Sequence, residues 1–182
     1  MFSFVTAGVV VALGCFYVFW SRRVPHFLAQ LGLDTREGTA RVGQSIFVGL
    51  TAGLAAGVCG LVYLLTIEKL EWLRAFRDQM ARVPTDILGW WWLAGLAVVA
   101  APLCEEFIFR GVVHNGLRRS LPPGLAVPAS AALFALVHNP LSAPPVFVLG
   151  VAAAISFERC RLLVAPIVAH MTYNALVLVA SS

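Results

Sequence analysis

Apolar residues dominate six stretches of the chain: Phe2–Trp20, Ser45–Thr66, Ile87–Pro102, Leu125–His138, Pro145–Phe157 and Leu162–Ala180. A helix needs about 20 apolar residues to cross a bilayer. The pattern therefore predicts about six spans, with the fourth and fifth short enough to be tilted or buried in the bundle. Pro122-Pro123-Gly124 and the segment from Pro140 to Pro145 are the clearest breaks between helices. Between the second and third stretches, Ile67, Leu70, Leu73, Phe76 and Met80 recur at helical spacing among charged residues. That periodicity fits an amphipathic helix on the membrane surface, or a helical extension of the preceding span. There is no internal repeat and no low-complexity linker. The expected fold is all-α: one multi-pass transmembrane bundle over residues 1–182.

Composition agrees with the pattern. Of 182 residues, 60% are hydrophobic and 12% charged, whereas soluble domains are about half apolar and a quarter charged. The expected location is a membrane, with the lipid bilayer as the main partner. A net charge of +4 needs no nucleic acid to explain it, because arginines between apolar segments are what the positive-inside rule produces. Arg22 and Arg23 follow the first apolar segment rather than precede it, which suits a first membrane helix with its N-terminus outside. On that topology the inner loops hold Arg22, Arg23, Arg36, Arg41, Arg118, Arg119, Arg159 and Arg161, against Lys69, Arg74, Arg77 and Arg82 outside. The cysteines, Cys15, Cys59, Cys104 and Cys160, have no ligand spacing and read as small packing residues. An Ala- and Arg-rich short chain suits a prokaryotic cell membrane.

One segment departs from this pattern. From Ile87 to Val113 the only charged side chains are Glu105, Glu106 and Arg110. On insertion scales each costs roughly 2.5–3.5 kcal/mol in a bilayer, so three unpaired groups would cost roughly 7–10 kcal/mol. Glu106 and Arg110 are four apart, on one helical face and in the favourable order, so they can neutralise each other. Glu105 faces about 100° away and is left for another task. Other polar groups interrupt later apolar segments: His138, and His170 with Asn174 four residues on. At about 1.5 Å per helical residue, Glu105 lies roughly 20 Å from Arg118, His138 about 20 Å from Gly124, and His170 roughly 12 Å from the loop holding Arg161. All three stand at similar depths from one side, as a shared cavity requires.

A glutamate and a histidine can hold a water and draw off its proton. His170 and Asn174 can donate hydrogen bonds to the oxygen that becomes negative when water attacks a carbonyl. Together these groups describe peptide-bond hydrolysis in a membrane cavity. There is no GxSxG or GxSG setting for a nucleophilic serine. Phe134 shares a face with His138 and reads as packing that fixes the histidine rotamer. His114, near a helix end, reads as interfacial, His26 as a solvated loop residue, and Trp90, Trp91 and Trp92 as anchors at the outer interface.

These residues resemble a known family. Glu105-Glu106-Phe-Ile-Phe-Arg110 is similar to the EExxxR motif of the CAAX protease and bacteriocin-processing (CPBP or Abi-type) intramembrane proteases, which include the type II CAAX prenyl endopeptidases. Phe134-Ala-Leu-Val-His138 resembles the FxxxH motif of that family, and His170-Met-Thr-Tyr-Asn174 its HxxxN motif. The resemblance covers a core of about residues 87–180. It implies an intramembrane endopeptidase acting on a membrane-embedded or membrane-associated peptide. Glu105 and His138 would activate water, His170 and Asn174 would form the oxyanion site, and Glu106 and Arg110 would support them. A divalent metal such as zinc on Glu105, His138 and His170 is compatible with the residue types, but nothing has HExxH spacing. The expectation is no metal, because a metal-free glutamate mechanism accounts for Asn174 more naturally. The chain is shorter than larger family members, with about six spans against about eight, which leaves substrate entry and oligomeric state open. Two alternatives stand beside this reading. One is a non-catalytic scaffold or peptide-immunity protein of the same fold, and the other a proton or ion pathway.

Overall fold

The computed structural model describes residues 32–33, 38–70 and 89–181. The first predicted span, Phe2–Trp20, lies outside the described residues, as does most of the predicted surface helix. Within them the chain is helical, with no strand. Helix α1 spans Thr39–Lys69. Residues 90–118 form one rod, α2, whose pitch changes along its length. Helix α3 spans Pro123–Leu136, α4 Ala143–Cys160 and α5 Val164–Ser181. Two of these, α1 and α4, are long and apolar enough to cross a membrane; α3 is apolar but shorter. Among the described residues two helices thus meet the length and composition of a span, against the six predicted over the whole chain. Helix α1 takes in Ile67 and Lys69 and stops at Leu70, whose backbone is extended, so the start of the predicted surface helix is an extension of the span.

Prolines and side chains set the helix ends. Pro123 opens α3, where its missing N–H is not needed. Pro144 and Pro145 do the same for α4, which runs longer than the predicted Pro145–Phe157. Helix α4 closes on Arg161 in the left-handed region (φ 54°), with its N–H donating to Phe157 O at 2.7 Å. Arg41 Nη2 donates to Cys160 O at 3.2 Å, tying α1 to that same end.

Packing of α1 on α5 depends on a glycine stripe. Gly49, Gly53, Gly57 and Gly60 are buried along one face of α1. A Cβ at Gly49 would meet Ala165 O and Val168, at Gly53 Ala169 O and Thr172, and at Gly57 the end of Leu176. Small residues four apart allow such close approach, and in a bilayer this packing replaces the hydrophobic drive. The opposite face, with Phe47, Leu54, Val58, Val62 and Leu65, is exposed and suits lipid. A similar approach brings Gly150 of α4 onto Ala131 of α3. Phe134, Val146, Leu149, Tyr173 and Ala56 fill the centre.

Candidate active site

Helix α2 carries the carboxylates, and its pitch decides where they point. Trp90–Gly95, Ala101–Glu106 and Asn115–Arg118 are α-helical, whereas Leu96–Ala100 and Phe107–His114 are wider π turns. The first wide turn has a local cause. Pro102 has no N–H, and its ring would clash with a carbonyl one α-turn back. Pro102, Glu106, Arg110 and His114 are spaced by four and all buried. In a pure α-helix three such steps would drift by about 120°. The π turns (i→i+5 bonds) counter that drift and keep the four groups facing the bundle. A regular helix, as the sequence pattern predicts, would swing His114 towards the surface.

Glu106 and Arg110 form a fully buried ion pair, as their spacing predicts. Arg110 Nη1 donates to Glu106 Oε1 at 3.1 Å. Nε approaches Oε2 to 3.0 Å, but off the N–H direction, so that contact is Coulombic and neither atom has a hydrogen-bond partner. Arg110 Nη2 donates to Gly150 O of α4 at 3.0 Å. The guanidinium also lies 4.7 Å from the centre of the Phe134 ring. Glu106 Oε1 in turn accepts from His170 Nδ1 at 2.8 Å. One carboxylate therefore neutralises the arginine and fixes a histidine on another helix.

His138 lies just past the end of α3 rather than within it, a correction to the predicted Leu125–His138 span. Its own N–H bonds Ala135 O in a tight turn, and its ring Nδ1–H donates to Phe134 O at 2.7 Å. The side chain thus supplies the hydrogen bond that a further helical turn would have made. A carbonyl only accepts, so Nδ1 carries the proton, and in the neutral ring Nε2 holds the lone pair. The same logic gives His170 a proton on Nδ1, facing Glu106. Both Nε2 atoms turn towards Glu105 Oε2, His138 at 3.8 Å and His170 at 3.9 Å. These gaps are too long for direct hydrogen bonds. A small oxygen species can bridge Glu105 Oε2 to either Nε2 across such a gap. Glu105 and His138 are each about a quarter exposed, so the spot is reachable.

Asn174 reaches a different target. Ala101 N–H is taken by Leu96 O, and Pro102 has no N–H, so Ala97 O has lost its helical donors. Asn174 Nδ2 replaces them, donating to Ala97 O at 2.7 Å. One amide hydrogen is spent on holding α2 to α5, and the second remains. Phe134 packs against His138, as its shared face predicts, and against other rings as well. It stands edge-on to Phe109, His138 and His170 at 4.9, 4.7 and 5.6 Å.

Sequence reasoning missed a second polar cluster. His114, read as interfacial, is fully buried, and its ring bridges Ser130 Oγ of α3 (3.1 Å) and Glu158 Oε1 of α4 (2.8 Å). Glu158 also accepts from Arg118 Nε at 2.6 Å and Arg161 Nη2 at 2.7 Å. The available signal was the spacing of four from Arg110 and a lone acid, Glu158, in an apolar stretch. Trp91 and Trp92 are exposed, in keeping with an interfacial anchor.

Glu105, His138 and His170 have the right donor types for a divalent cation, although among the described residues no three such side chains close into a metal shell. Neither the curated proteins nor the solved structures include a match to the chain. A family model does match, over residues 87–176, the segment that contains every one of these polar groups. The chain belongs, through those residues, to the Rce1-like family, type II CAAX prenyl endopeptidase Rce1-like.

Proposed function

We propose that the chain is a multi-pass endopeptidase of a prokaryotic cell membrane, hydrolysing a peptide bond in a membrane-associated substrate with water activated by Glu105 and His138. The observation that carries this reading is the convergence of two imidazole Nε2 atoms on Glu105 Oε2, at 3.8 and 3.9 Å, with both Nδ1 protons committed elsewhere. A water has two protons to donate, and Glu105 Oε2 and His138 Nε2 are the two acceptors that draw them, with His170 Nε2 left to face the carbonyl oxygen. The water oxygen attacks the peptide carbonyl carbon, and its proton passes to Glu105 with His138 alongside. The carbonyl oxygen becomes an oxyanion. The donors available to it are the second amide hydrogen of Asn174 and His170 Nε2 when that ring is protonated. Collapse breaks the C–N bond, and the leaving nitrogen takes the proton from Glu105. Glu106 and Arg110 hold His170 in orientation throughout.

One observation favours a second reading. The same carboxylate oxygen and two Nε2 lone pairs would suit a divalent cation such as zinc, held by Glu105, His138 and His170. Cleavage of a membrane-anchored peptide by purified protein in liposomes separates the alternatives. Glu105→Ala, His138→Ala and Asn174→Ala are expected to lower kcat by about 10²–10⁴-fold, and activity is expected to survive strong chelators. Because Asn174→Ala also uncaps Ala97 O, its thermal stability is measured alongside. Variants that fold and cleave as fast as the parent sink the protease reading. Activity lost to chelator and restored by zinc selects the metal form. Proton flux abolished by these substitutions, with no cleavage, selects an ion pathway. A parent that neither cleaves nor conducts is the scaffold or immunity alternative.

A further inference from the structure

His114, Ser130 and Glu158 have the connectivity of a serine–histidine–acid triad, yet Ser130 and His114 are at most 1% exposed. No acyl group can reach the hydroxyl, so the trio is not a second nucleophilic site. Its place in the bundle points elsewhere. His114 closes the wide turn Phe107–His114, and Arg110 sits inside that turn. Helix α2 is therefore bolted to α4 twice along the buried stripe. Arg110 bonds Gly150 O at 3.0 Å, and His114 bonds Glu158 at 2.8 Å. The groups facing His114 are Glu158 and the Phe157 ring from α4, Ser130 from α3, and Arg110 and Arg118 from its own helix. Glu158 is gripped by Arg118 and Arg161 as well, so it accepts, and His114 Nε2 is the donor. Ser130 has one hydroxyl proton, and both Val127 O at 3.0 Å and His114 Nδ1 at 3.1 Å are within its reach.

We propose that His114 is a positioning residue of the active site, resting on the protease reading above. Clamped between Ser130 and Glu158, it fixes the pitch of the wide turn and thereby the Arg110–Glu106–His170 chain that orients the imidazole beside Glu105. The coupling runs over two turns of one helix and a single buried ion pair, without contact between His114 and the reacting atoms.

The chain has four histidines, so ¹⁵N-histidine labelling gives a countable set of ring signals, assigned by single substitution. Ser130→Ala, which removes only one hydroxyl, and Glu158→Gln are expected to shift the ring nitrogens of both His114 and His170. Glu158→Gln and His114→Gln are expected to lower kcat about ten- to a hundredfold, as lost supporting hydrogen bonds do at metal sites, with KM within about twofold. Thr51→Ala, whose exposed hydroxyl bonds only Phe47 O and Val48 O of its own helix, should change neither. Shifts confined to His114 in Ser130→Ala, with kcat unaltered in the folded variants, overturn the proposal. If Glu158→Gln does not fold, Ser130→Ala decides alone. The nuclear resonance readout needs no substrate. A parent that cleaves nothing while Ser130→Ala still moves His170 refutes the protease reading and leaves the clamp standing.

Discussion

Arg110 is held by Glu106 on its own helix, by the Gly150 carbonyl of α4 and by the face of Phe134 from α3. Removing one member of a buried ion pair leaves an uncompensated charge and costs about 3–5 kcal/mol, whereas replacing both members can be nearly neutral. Arg110→Met is therefore expected to lower stability by about that amount. The double variant Glu106→Gln/Arg110→Met should recover a large part of it, as measured by thermal unfolding in detergent. A double variant no more stable than Arg110→Met would mean that hydrogen bonds to the guanidinium matter more than charge balance. Phe134 carries a different load, since its ring touches Phe109, Arg110, His138 and His170. Phe134→Leu should cost about 1–3 kcal/mol and lower kcat more than it changes KM, because His138 would lose the wall that limits its ring.

At the scale of helices, the glycine stripe and the wide turns define the architecture. A side chain at Gly53 would drive its Cβ into the carbonyl of Ala169 and into Thr172, neither of which can yield without separating α1 from α5. Gly53→Val is expected to destabilise by about 2–3 kcal/mol. A methyl group added at Gly116, in the last turn of α2, would meet nothing within 4 Å, and Gly116→Ala should gain up to about 1 kcal/mol from helix propensity. Unfolding curves of the two variants in one detergent test the contrast directly. Equal stabilities would mean that α1 does not pack closely on α5 in the membrane. The Asn174–Ala97 bond at 2.7 Å belongs to this scale as well, because it repairs a carbonyl that Pro102 left without a donor.

For the whole molecule, the relevant geometry is an ionisable cluster inside an apolar bundle. Glu105 and His138 are partly exposed, while Glu106, Arg110 and His170 are buried behind them. Arg41, Arg118 and Arg161, assigned to inner loops by charge counting, meet at one end of the bundle around Cys160 O and Glu158. A substrate tethered to the bilayer should reach such a site at raised effective concentration. Its kcat/KM in liposomes is expected to exceed that of the same untethered peptide by about tenfold or more. Equal values would point to entry from water. By itself the sequence determined that the described chain is helical. It also singled out the ionisable groups that interrupt apolar segments, because hydrophobic period and the cost of buried charge are local properties. The spacing of four was enough to pair Glu106 with Arg110. Only tertiary structure decided that His170 bonds Glu106 across 64 positions, that Asn174 caps Ala97 across 77, and that His114 is buried against Glu158 across 44. Those contacts depend on the changing pitch of α2 and on how closely glycines let helices approach. Neither can be read from a regular periodicity.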